Sequence, residues 1–258
     1  MSEKTDKPRR VLVTGSTGAV GTPVCERLMA RGHVVRGFAR RPTEGVSDYV
    51  QGNLNDRDKV REAVEGMDAI IHLGAHPDVG DFVDDLLQPN IVGVYHICDA
   101  AREFDVPRLV LGSSLRAVSG RREGPLPVPA DAHPVPQDLY ALTKAFMETT
   151  GDMYARTYDL SVINARIGWL PRHREGAESL AKAERGPDYF LSHDDAGRFF
   201  ERSVEADRPA RGECVTLFVT SRPKTTMRLD IGASKEIIGY EPVDTWPQGL
   251  PFDVSGLG

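Results

Sequence analysis

The chain is poor in cysteine, and it has no long apolar run. Its three cysteines, Cys25, Cys98 and Cys214, are odd in number, far apart and in no CxxC or zinc-binding spacing. We therefore expect buried thiols in a reducing compartment instead of a disulfide framework. The longest apolar runs are too short to cross a bilayer, so no transmembrane helix is expected. The first ten residues are charged and lack an apolar core, which argues against a signal peptide.

An excess of basic residues is also missing. The chain has 32 Lys and Arg against 38 Asp and Glu, a formal net charge of -6. A basic field that would attract nucleic acid or an anionic membrane is therefore not predicted. We expect a soluble, cytoplasmic protein in which residues 1–10 form a mobile tail.

Strand-like and helix-like segments alternate along most of the chain. Runs of β-branched residues predict buried strands at 11–15, 33–40, 69–75, 108–114 and 161–167. Helical spacing and capping signals predict helices at 19–32, 56–67, 81–105 and 138–159. Pro89 predicts either a kink in the third helix or its true start. The alternation predicts an α/β fold with a doubly wound parallel sheet and helices on both faces.

The regularity fades after Gly168. Residues 169–189 are polar and predict a loop, and 192–207 predict a helix that begins with Ser192 and Asp195 in capping-box spacing. A last strand is predicted at 213–221 and a short helix at 229–239. No clean linker is visible. We expect residues 11–168 to form the core, and residues 169–258 a small C-terminal lobe and the final sheet elements of the same domain.

Three glycines follow the first strand in a G-x-x-G-x-x-G pattern. Gly15 permits a tight turn, Gly18 lets a backbone approach a pyrophosphate, and Gly21 allows close packing of helix on strand. The helix that follows offers free N–H groups and a positive dipole end. At the first strand–helix junction of an α/β chain, the pattern predicts dinucleotide binding by residues 11–168; a glycine-rich turn without a ligand is the alternative.

The end of the second strand bears on the choice of dinucleotide. An acidic residue there favours NAD, and an arginine accommodates the 2′-phosphate of NADP. Here Ala39 stands about where the acid would be, and Arg40 and Arg41 follow. Two guanidiniums can clamp a phosphate, which favours NADP over NAD. Two solvated arginines on a turn are the alternative.

Tyr140 precedes Lys144 by four residues on one predicted helix face. An ammonium beside a phenol stabilises the phenolate, so we expect a lowered pKa for Tyr140 and an ability to exchange a proton with a substrate hydroxyl. Ser113 and Ser114 end the strand at 108–114, at the edge of the sheet where open α/β folds bind ligands. The glycine loop, the Tyr–Lys pair and the strand that ends in serine together predict a catalytic site. A Tyr-x-x-x-Lys pair alone often occurs by chance.

Several segments resemble the extended short-chain dehydrogenase/reductase family, also called the NAD-dependent epimerase/dehydratase family. They are "TGSTGAVG", "HLGA" (72–75), "NIVGVY" (90–95), "GSS" (112–114), "YALTK" (140–144) and "RIG" (166–168). The resemblance implies a Rossmann fold, with Tyr140 as acid/base, Lys144 as its partner and Ser114 as donor to the carbonyl oxygen. It also implies an NADP- or NAD-dependent oxidoreductase.

The cofactor site expected from the motifs and the resemblance spans most of the sheet edge. Its residues are Gly15, Thr17, Gly18, Ala19, Val20, Gly21, Arg40, Arg41, Asn53, Leu54, Leu73, Gly74, Ala75, Asn90, Tyr140, Lys144 and Ile167. Asn53 and Leu54 stand where the family usually has Asp-Leu near the adenine. This substitution keeps an acceptor and loses a charge.

Within the family the chain looks most like uronate dehydrogenases, which oxidise C1 of uronic acids. The resemblance places Leu115 and Trp169 at substrate positions where that subgroup has Asn and Ser. Further candidate substrate residues are His76, Ser113, Arg116 and Arg174. Arg172 and Arg185 lie in the same loop as Arg174. The resemblance thus implies a small uronic acid or aldose type of substrate, and a different sugar acid, a polyol or a less polar molecule stays open.

Two other functions stay open, and the resemblance implies a homodimer. A sugar epimerase would keep NAD bound and show no net change in cofactor oxidation, and a sensor would bind NAD or NADP without turnover. Family members often form homodimers through the helices at 81–101 and 138–159. Ile91, Val94, Tyr95 and Phe146 are possible apolar contributors.

The histidines carry two further expectations. We expect His72 to be a buried histidine with its hydrogen bonds satisfied. His193 lies next to Asp194 and Asp195, which helix capping explains without a metal ion, so no metal is expected.

Overall fold

A single parallel sheet organises the molecule. The computed structural model describes residues 7–121 and 124–257. Within them a seven-stranded sheet has the order β3-β2-β1-β4-β5-β6-β7. The strands are β1 Arg10–Thr14, β2 Val34–Ala39, β3 Asp48–Gln51, β4 Ala69–His72, β5 Arg108–Ser114, β6 Ser161–Ile167 and β7 Cys214–Val219. The predicted α/β fold with a doubly wound parallel sheet is confirmed. The strand order reverses direction between β1 and β4. In open α/β sheets, ligands bind in the crevice that forms at such a reversal, beyond the carboxyl ends of the strands.

Helices cover both faces of this sheet. They are α1 Gly21–Arg31, α2 Arg57–Val64, α3 Gly93–Glu103, α4 Leu139–Tyr158, α5 Arg174–Lys182, α6 His193–Glu205 and α7 Gly232–Ile238. One buried cluster joins a sheet face to α2, α3 and α4, and a second joins the other face to α1 and α6. Strands buried on both faces explain the nearly continuous apolar runs in the sequence.

A π-helical segment precedes α3. It covers Phe82–Val92 and contains Pro89, and Asp81 caps it by accepting hydrogen bonds from the N–H groups of Val83 and Asp84. The expectation that Pro89 is the true start of the helix is therefore wrong. The segment continues through Pro89 because its wider turns bond each N–H to the carbonyl five residues back, as Gly93 does with Gln88.

Strand β3 and helix α5 were not expected. Strand β3 has four residues, of which Val50 is buried and Tyr49 exposed, and such a short edge strand gives little periodic signal. The loop expected at 169–189 is wrong, because helix α5 lies within it. Only Ala177 and Leu180 of α5 are buried, and polar residues around them hide the helical pattern.

The N-terminal boundary also differs from expectation. Arg10 opens β1, and the backbone of Arg9 bonds with His33 and Val34, so these two residues are not part of a mobile tail. Residues 1–6 of the expected tail lie outside the described residues.

Residues 214–219 add a seventh strand beside β6. Along the ranges 7–121 and 124–257, the structure contains no helix with the length and apolarity that crossing a bilayer requires.

The thiols are unpaired, as their spacing suggested. Cys25 and Cys98 are buried and Cys214 is half-buried. Burial raises the pKa of each thiol to about 12, so these groups stay protonated near neutral pH.

Candidate active site

The glycine loop connects β1 to α1 so tightly that Gly15 and Gly21 have no room for side chains. Gly15 has φ +65°, and a Cβ there would lie 2.8 Å from the backbone nitrogen of Gly74. A Cβ on Gly21 would overlap the carbonyl oxygen of Gly15. Gly18 is exposed, and Thr17, Ala19 and Val20 are half-buried. The loop therefore presents bare backbone at the sheet edge, as a cradle for a diphosphate requires.

The N-terminus of α1 is electrostatically suited to an anion. Val20 gives no side-chain cap, and the first turn contains no acidic residue. The first N–H groups of the helix and its positive dipole end therefore have no side-chain carboxylate beside them. These features fit the diphosphate of NAD or NADP.

Arg40 and Arg41 lie at the end of β2, next to this loop. Gly15 N–H donates to the carbonyl of Phe38 (2.8 Å), which joins the end of β2 to the glycine turn. Both arginines are exposed, and within the described ranges neither guanidinium has a hydrogen bond or ion pair. Two unpaired cations beside the cradle fit a 2′-phosphate, and that contact stays a prediction.

The other predicted cofactor residues lie along the same edge. Leu54 is buried and contacts the positions of Gly74 and Gly93, where added Cβ atoms would meet its side chain at 2.9 Å and 2.8 Å. Asn53 is exposed. Half-buried residues at or just beyond the ends of β4 and β6 are Leu73, Gly74, Ala75 and Ile167.

Tyr140 is held in the first turn of α4. Asp138 caps this helix by accepting a hydrogen bond from Ala141 N–H (2.8 Å). Tyr140 is 9% exposed, and the Ser114 hydroxyl lies close enough to its phenol to act against the rise of the Tyr140 pKa. The oxygen of Ser114 accepts from Arg116 N–H (3.2 Å), which leaves the hydroxyl proton free to be donated at the phenol side. The structure thus brings together Ser114 and Tyr140.

Lys144 lies beneath the phenol ring. Its Nζ is 5.6 Å from the Tyr140 ring centroid and donates to the carbonyl of Gly112 (2.8 Å). Complete burial lowers the pKa of Lys144 to about 8, and the Glu148 carboxylate opposes this shift. Ser114, Tyr140 and Lys144 therefore converge where β5 ends.

The pKa of Tyr140 does not follow the expectation. Burial raises it above the usual value, and the Ser114 hydrogen bond and the charges of Arg172 and Arg116 only partly offset the burial. The expectation that Lys144 lowers this pKa is wrong for this structure, because desolvation dominates and the ammonium is directed to a backbone carbonyl.

Asn90 connects the loop after β4 to α4. Its Oδ1 accepts from His76 N–H (2.7 Å), and its Nδ2 donates to the His76 carbonyl (3.2 Å) and to the Thr143 hydroxyl (3.1 Å). Thr143 in turn donates to the carbonyl of Tyr140 (2.7 Å). Both amide protons of Asn90 are thus engaged within the protein, so it positions the site instead of offering its own donors to a cofactor.

His72 ends β4, and only one of its two ring nitrogens forms a hydrogen bond with the described residues. Its Nδ1 lies 2.8 Å from the Thr14 hydroxyl, which also accepts from Gly74 N–H (3.0 Å). Its Nε2 is buried and has no hydrogen-bond partner among the residues that the structure describes. The expectation of a satisfied histidine is therefore wrong at Nε2. Burial, with the charge of Lys144, lowers the pKa of His72 to about 3 and keeps the ring neutral.

Two predicted substrate residues lie away from Tyr140. Ser113 donates to the Glu148 carboxylate (2.6 Å) in the interior, because successive residues of β5 face opposite sides of the sheet. Arg174 donates to the carbonyls of Asp253 (3.0 Å) and Ser255 (3.4 Å) near the C-terminus. Arg172 is the arginine of that loop that faces Tyr140, and it donates to the carbonyl of Pro77 (3.0 Å).

The other predicted substrate residues have mixed surroundings. Arg116 lies over the Tyr140 ring, with its Cζ 5.3 Å from the centroid. Leu115 packs on a small apolar cluster that includes Val118 and Phe218. Trp169 is 37% exposed after β6, and His76 is half-buried. Their contacts with a substrate stay predictions.

A buried ion pair supports α4 from below and was not foreseen. Arg166 on β6 bonds Glu148 through Nε (2.9 Å) and Nη2 (2.7 Å), and it also donates to the carbonyls of Ala130 (3.1 Å) and Ala132 (2.8 Å). The available signal was an arginine inside the otherwise buried strand at 161–167, because such a charge needs a partner.

The histidine–aspartate run is occupied by structural contacts. His193 Nε2 lies 3.0 Å from the Pro171 carbonyl. Asp195 accepts from Ser221, Arg198 and two backbone N–H groups. In the described part of the chain, no three His, Cys, Asp or Glu side chains are grouped so that they could hold a metal ion.

Comparison with known proteins agrees with this geometry. Residues 11–171 match the model of the NAD dependent epimerase/dehydratase family. L-arabinose 1-dehydrogenase (NAD(P)(+)) of Haloferax volcanii is 32% identical over 91% of this chain and 96% of its own. NAD-dependent glucose-6-phosphate dehydrogenase of the same organism is 30% identical over 96% and 99%. A mutant uronate dehydrogenase from Agrobacterium tumefaciens, complexed with NAD, is 26% identical with a TM-score of 0.76, covering 92% of this chain and 86% of that one. The chain belongs to the NAD dependent epimerase/dehydratase family.

Proposed function

We propose that the protein is an NAD- or NADP-dependent dehydrogenase of a small sugar. The observation that carries this proposal is the convergence of Ser114, Tyr140 and Lys144 at the end of β5, beside a sheet edge with a bare glycine cradle. A bound nicotinamide supplies the site that accepts or gives hydride. The residues of the chain bind, orient and exchange the proton.

Each of the three residues has a role that follows from its contacts. In its phenolate form, Tyr140 takes the proton of the substrate hydroxyl and becomes a phenol, and in the reverse direction the phenol returns that proton. Ser114 donates a hydrogen bond to the reacting oxygen, since its own acceptor is satisfied by Arg116 N–H. Lys144 helps to position Tyr140, because its Nζ is held on the Gly112 carbonyl 5.6 Å from the centroid of the phenol ring. Burial of Tyr140 excludes water from the proton transfer.

The decisive experiment is a substrate screen with net turnover as the readout. Uronic acids, aldoses and sugar phosphates are offered with NAD and with NADP, and the absorbance of the reduced cofactor is followed. We expect reduction of the cofactor with at least one sugar. The relatives act on arabinose, glucose 6-phosphate and uronate according to their names, which supports an aldose or sugar acid as substrate. Sugar conversion without net reduction would identify an epimerase, and cofactor binding without any turnover a sensor.

A preference for NADP is supported by Arg40 and Arg41. Replacing both by alanine is expected to weaken NADP binding while leaving NAD binding nearly unchanged, because only NADP carries the 2′-phosphate. Arg57→Ala, whose guanidinium pairs with Asp99, is the control. Equal loss of affinity for both cofactors would contradict the preference.

A homodimer is supported by an exposed apolar stripe on α4. Its members follow helical spacing and are Leu139, Leu142, Phe146 and Met153, each at least 38% exposed. Tyr95 of α3 is 46% exposed, whereas Val94 is fully buried and cannot contribute. We expect Leu142→Glu to shift the mass measured by light scattering from dimer to monomer. Val243→Glu, on a C-terminal loop, is the control.

The domain division and the compartment stay proposals as well. We propose that residues 169–258 form a substrate lobe on the same domain, since β7 from this part extends the sheet. We also propose that the protein works in the cytoplasm, where its unpaired thiols would remain reduced.

A further inference from the structure

A guanidinium covers one face of the Tyr140 ring and connects three parts of the fold. Arg116 belongs to the 3₁₀-helical segment Leu115–Arg121 that follows β5. Its Nη1 is 2.8 Å from Asp78, in the loop after β4, and its Nη2 is 2.7 Å from Asp138, at the start of α4. Its Cζ lies 5.3 Å from the ring centroid of Tyr140, within the range of a cation–π contact.

The two oxygens of Asp138 have different partners. One oxygen caps α4 at Ala141 N–H (2.8 Å), and the other accepts from Arg116 (2.7 Å). Arg116 is therefore tied to the very turn of α4 that carries Tyr140. Its backbone N–H also donates to the Ser114 oxygen (3.2 Å). A single residue thus contacts Ser114 through its backbone and Tyr140 through its side chain.

We infer that Arg116 is a positioning residue for Tyr140 in the proposed reaction, holding the phenol against Ser114 and placing a positive charge over its ring. The inference rests on the proposed function, in which Tyr140 exchanges the proton. Arg116 differs from a lysine in that its rigid planar fork presents fixed donors to Asp78 and Asp138 at once, whereas an ammonium is a point charge on a flexible stem.

Charged and polar groups from several elements face the phenol of Tyr140. Arg116 and Arg172 contribute positive charge, Asp78 contributes negative charge, and Lys144 and the Ser114 hydroxyl approach from α4 and β5. The two arginines act to lower the pKa of Tyr140, and Asp78 acts to raise it. Arg116 and Asp78 form an ion pair with each other, yet they act on the phenol with opposite sign.

This opposition makes a sharp test. Arg116→Gln and Asp78→Asn both break the ion pair between these two residues, and Arg116→Gln also breaks the pair with Asp138. Loss of scaffolding can therefore lower kcat to different extents, but it gives no reason for the pH profiles to shift in opposite directions. If the charge on Arg116 acts on the phenol, Arg116→Gln moves the acid limb of the kcat/KM pH profile for sugar oxidation to higher pH, because Tyr140 must lose its proton to act as base. Asp78→Asn moves the limb to lower pH.

The size of the effect and the controls are defined by the contacts. Arg116→Gln is expected to lower kcat by roughly ten- to a hundredfold, as small displacements of a reacting group do, while cofactor affinity is retained. Arg116→Lys keeps the charge and should restore the pH limb but only part of kcat. Arg121→Gln removes an arginine of the same segment that bonds the His133 carbonyl, and it should behave like the native enzyme.

The outcomes separate cleanly. Unchanged kcat and an unchanged limb in Arg116→Gln would overturn the inference, and so would limbs that move in the same direction in Arg116→Gln and Asp78→Asn. If no sugar is oxidised, the proposed dehydrogenase function fails on its own. The titration of Tyr140 is then read as the phenolate absorbance difference between each protein and its Tyr140→Phe counterpart. Opposite shifts in that titration would uphold the placement of Arg116, and equal or absent shifts would refute it.

Discussion

Replacing Arg166 should lower the free energy of unfolding of the protein, because Arg166 pairs with a buried carboxylate on α4, beneath the active site. Its side chain is 2% exposed and that of its partner Glu148 is 6% exposed, with two hydrogen bonds joining them. In Arg166→Met the buried Glu148 carboxylate keeps only the hydrogen bond from Ser113 and loses the guanidinium that it pairs with. Breaking a buried pair from one side typically costs about 3–5 kcal/mol. Two backbone carbonyls, those of Ala130 and Ala132, lose a donor as well.

Urea unfolding with a matched set of variants measures this cost. A domain of this kind has roughly 5–15 kcal/mol of stability in total, so the midpoint should fall steeply in Arg166→Met. The double variant Arg166→Met with Glu148→Met should recover a large part of the loss, because no unpaired charge is left buried. Arg156→Met, in an exposed pair with Asp152 on the same helix, should have no measurable effect. A loss below about 1 kcal/mol, or a double variant as unstable as the sum of the singles, would refute the reasoning.

Three further predictions test the site. Tyr140→Phe should abolish turnover while cofactor affinity, measured by fluorescence titration, stays nearly intact; unchanged rates would remove Tyr140 from its role. Burial lowers the pKa of Lys144 to about 8, whereas the pKa of an unfolded lysine is about 10.4. Between these two pH values the folded protein binds fewer protons than the unfolded chain. The unfolding free energy of the native protein minus that of Lys144→Met should therefore rise with pH across this window, and a flat difference would contradict the shift. Gly21→Ala should destroy cofactor binding in calorimetry, because its Cβ would overlap the Gly15 carbonyl; Gly176→Ala, whose Cβ would have its nearest contacts outside the adjoining backbone at 3.8 Å, is the control and should fold normally.

The sheet could be predicted because its strands are buried on both faces and its turns carry glycine. β5 and β6 have the predicted bounds, since each is a short apolar run with a clear break at either end. β3 and α5 were missed because each buries only one or two residues and its sequence is otherwise polar.

Within the site, the sequence could place Ser114, Tyr140 and Lys144 on one edge because strand ends and helix spacing are local properties. It could not show that Ser113 faces Glu148 or that Arg174 reaches the C-terminal residues, because these contacts join positions 35 and at least 79 residues apart. The direction of the Tyr140 pKa also failed from sequence. It depends on how completely the fold desolvates the phenol, a quantity that no spacing rule contains.

The amide of Asn90 links the backbone of His76, in the loop after β4, to Thr143 of α4, the helix that carries Tyr140. We therefore expect this loop and the helix to move together. A sugar that presses on the loop would shift the phenol with it. Discrimination between sugars should then be expressed in the rate of proton exchange more than in the strength of binding, so that poor substrates bind well yet react slowly.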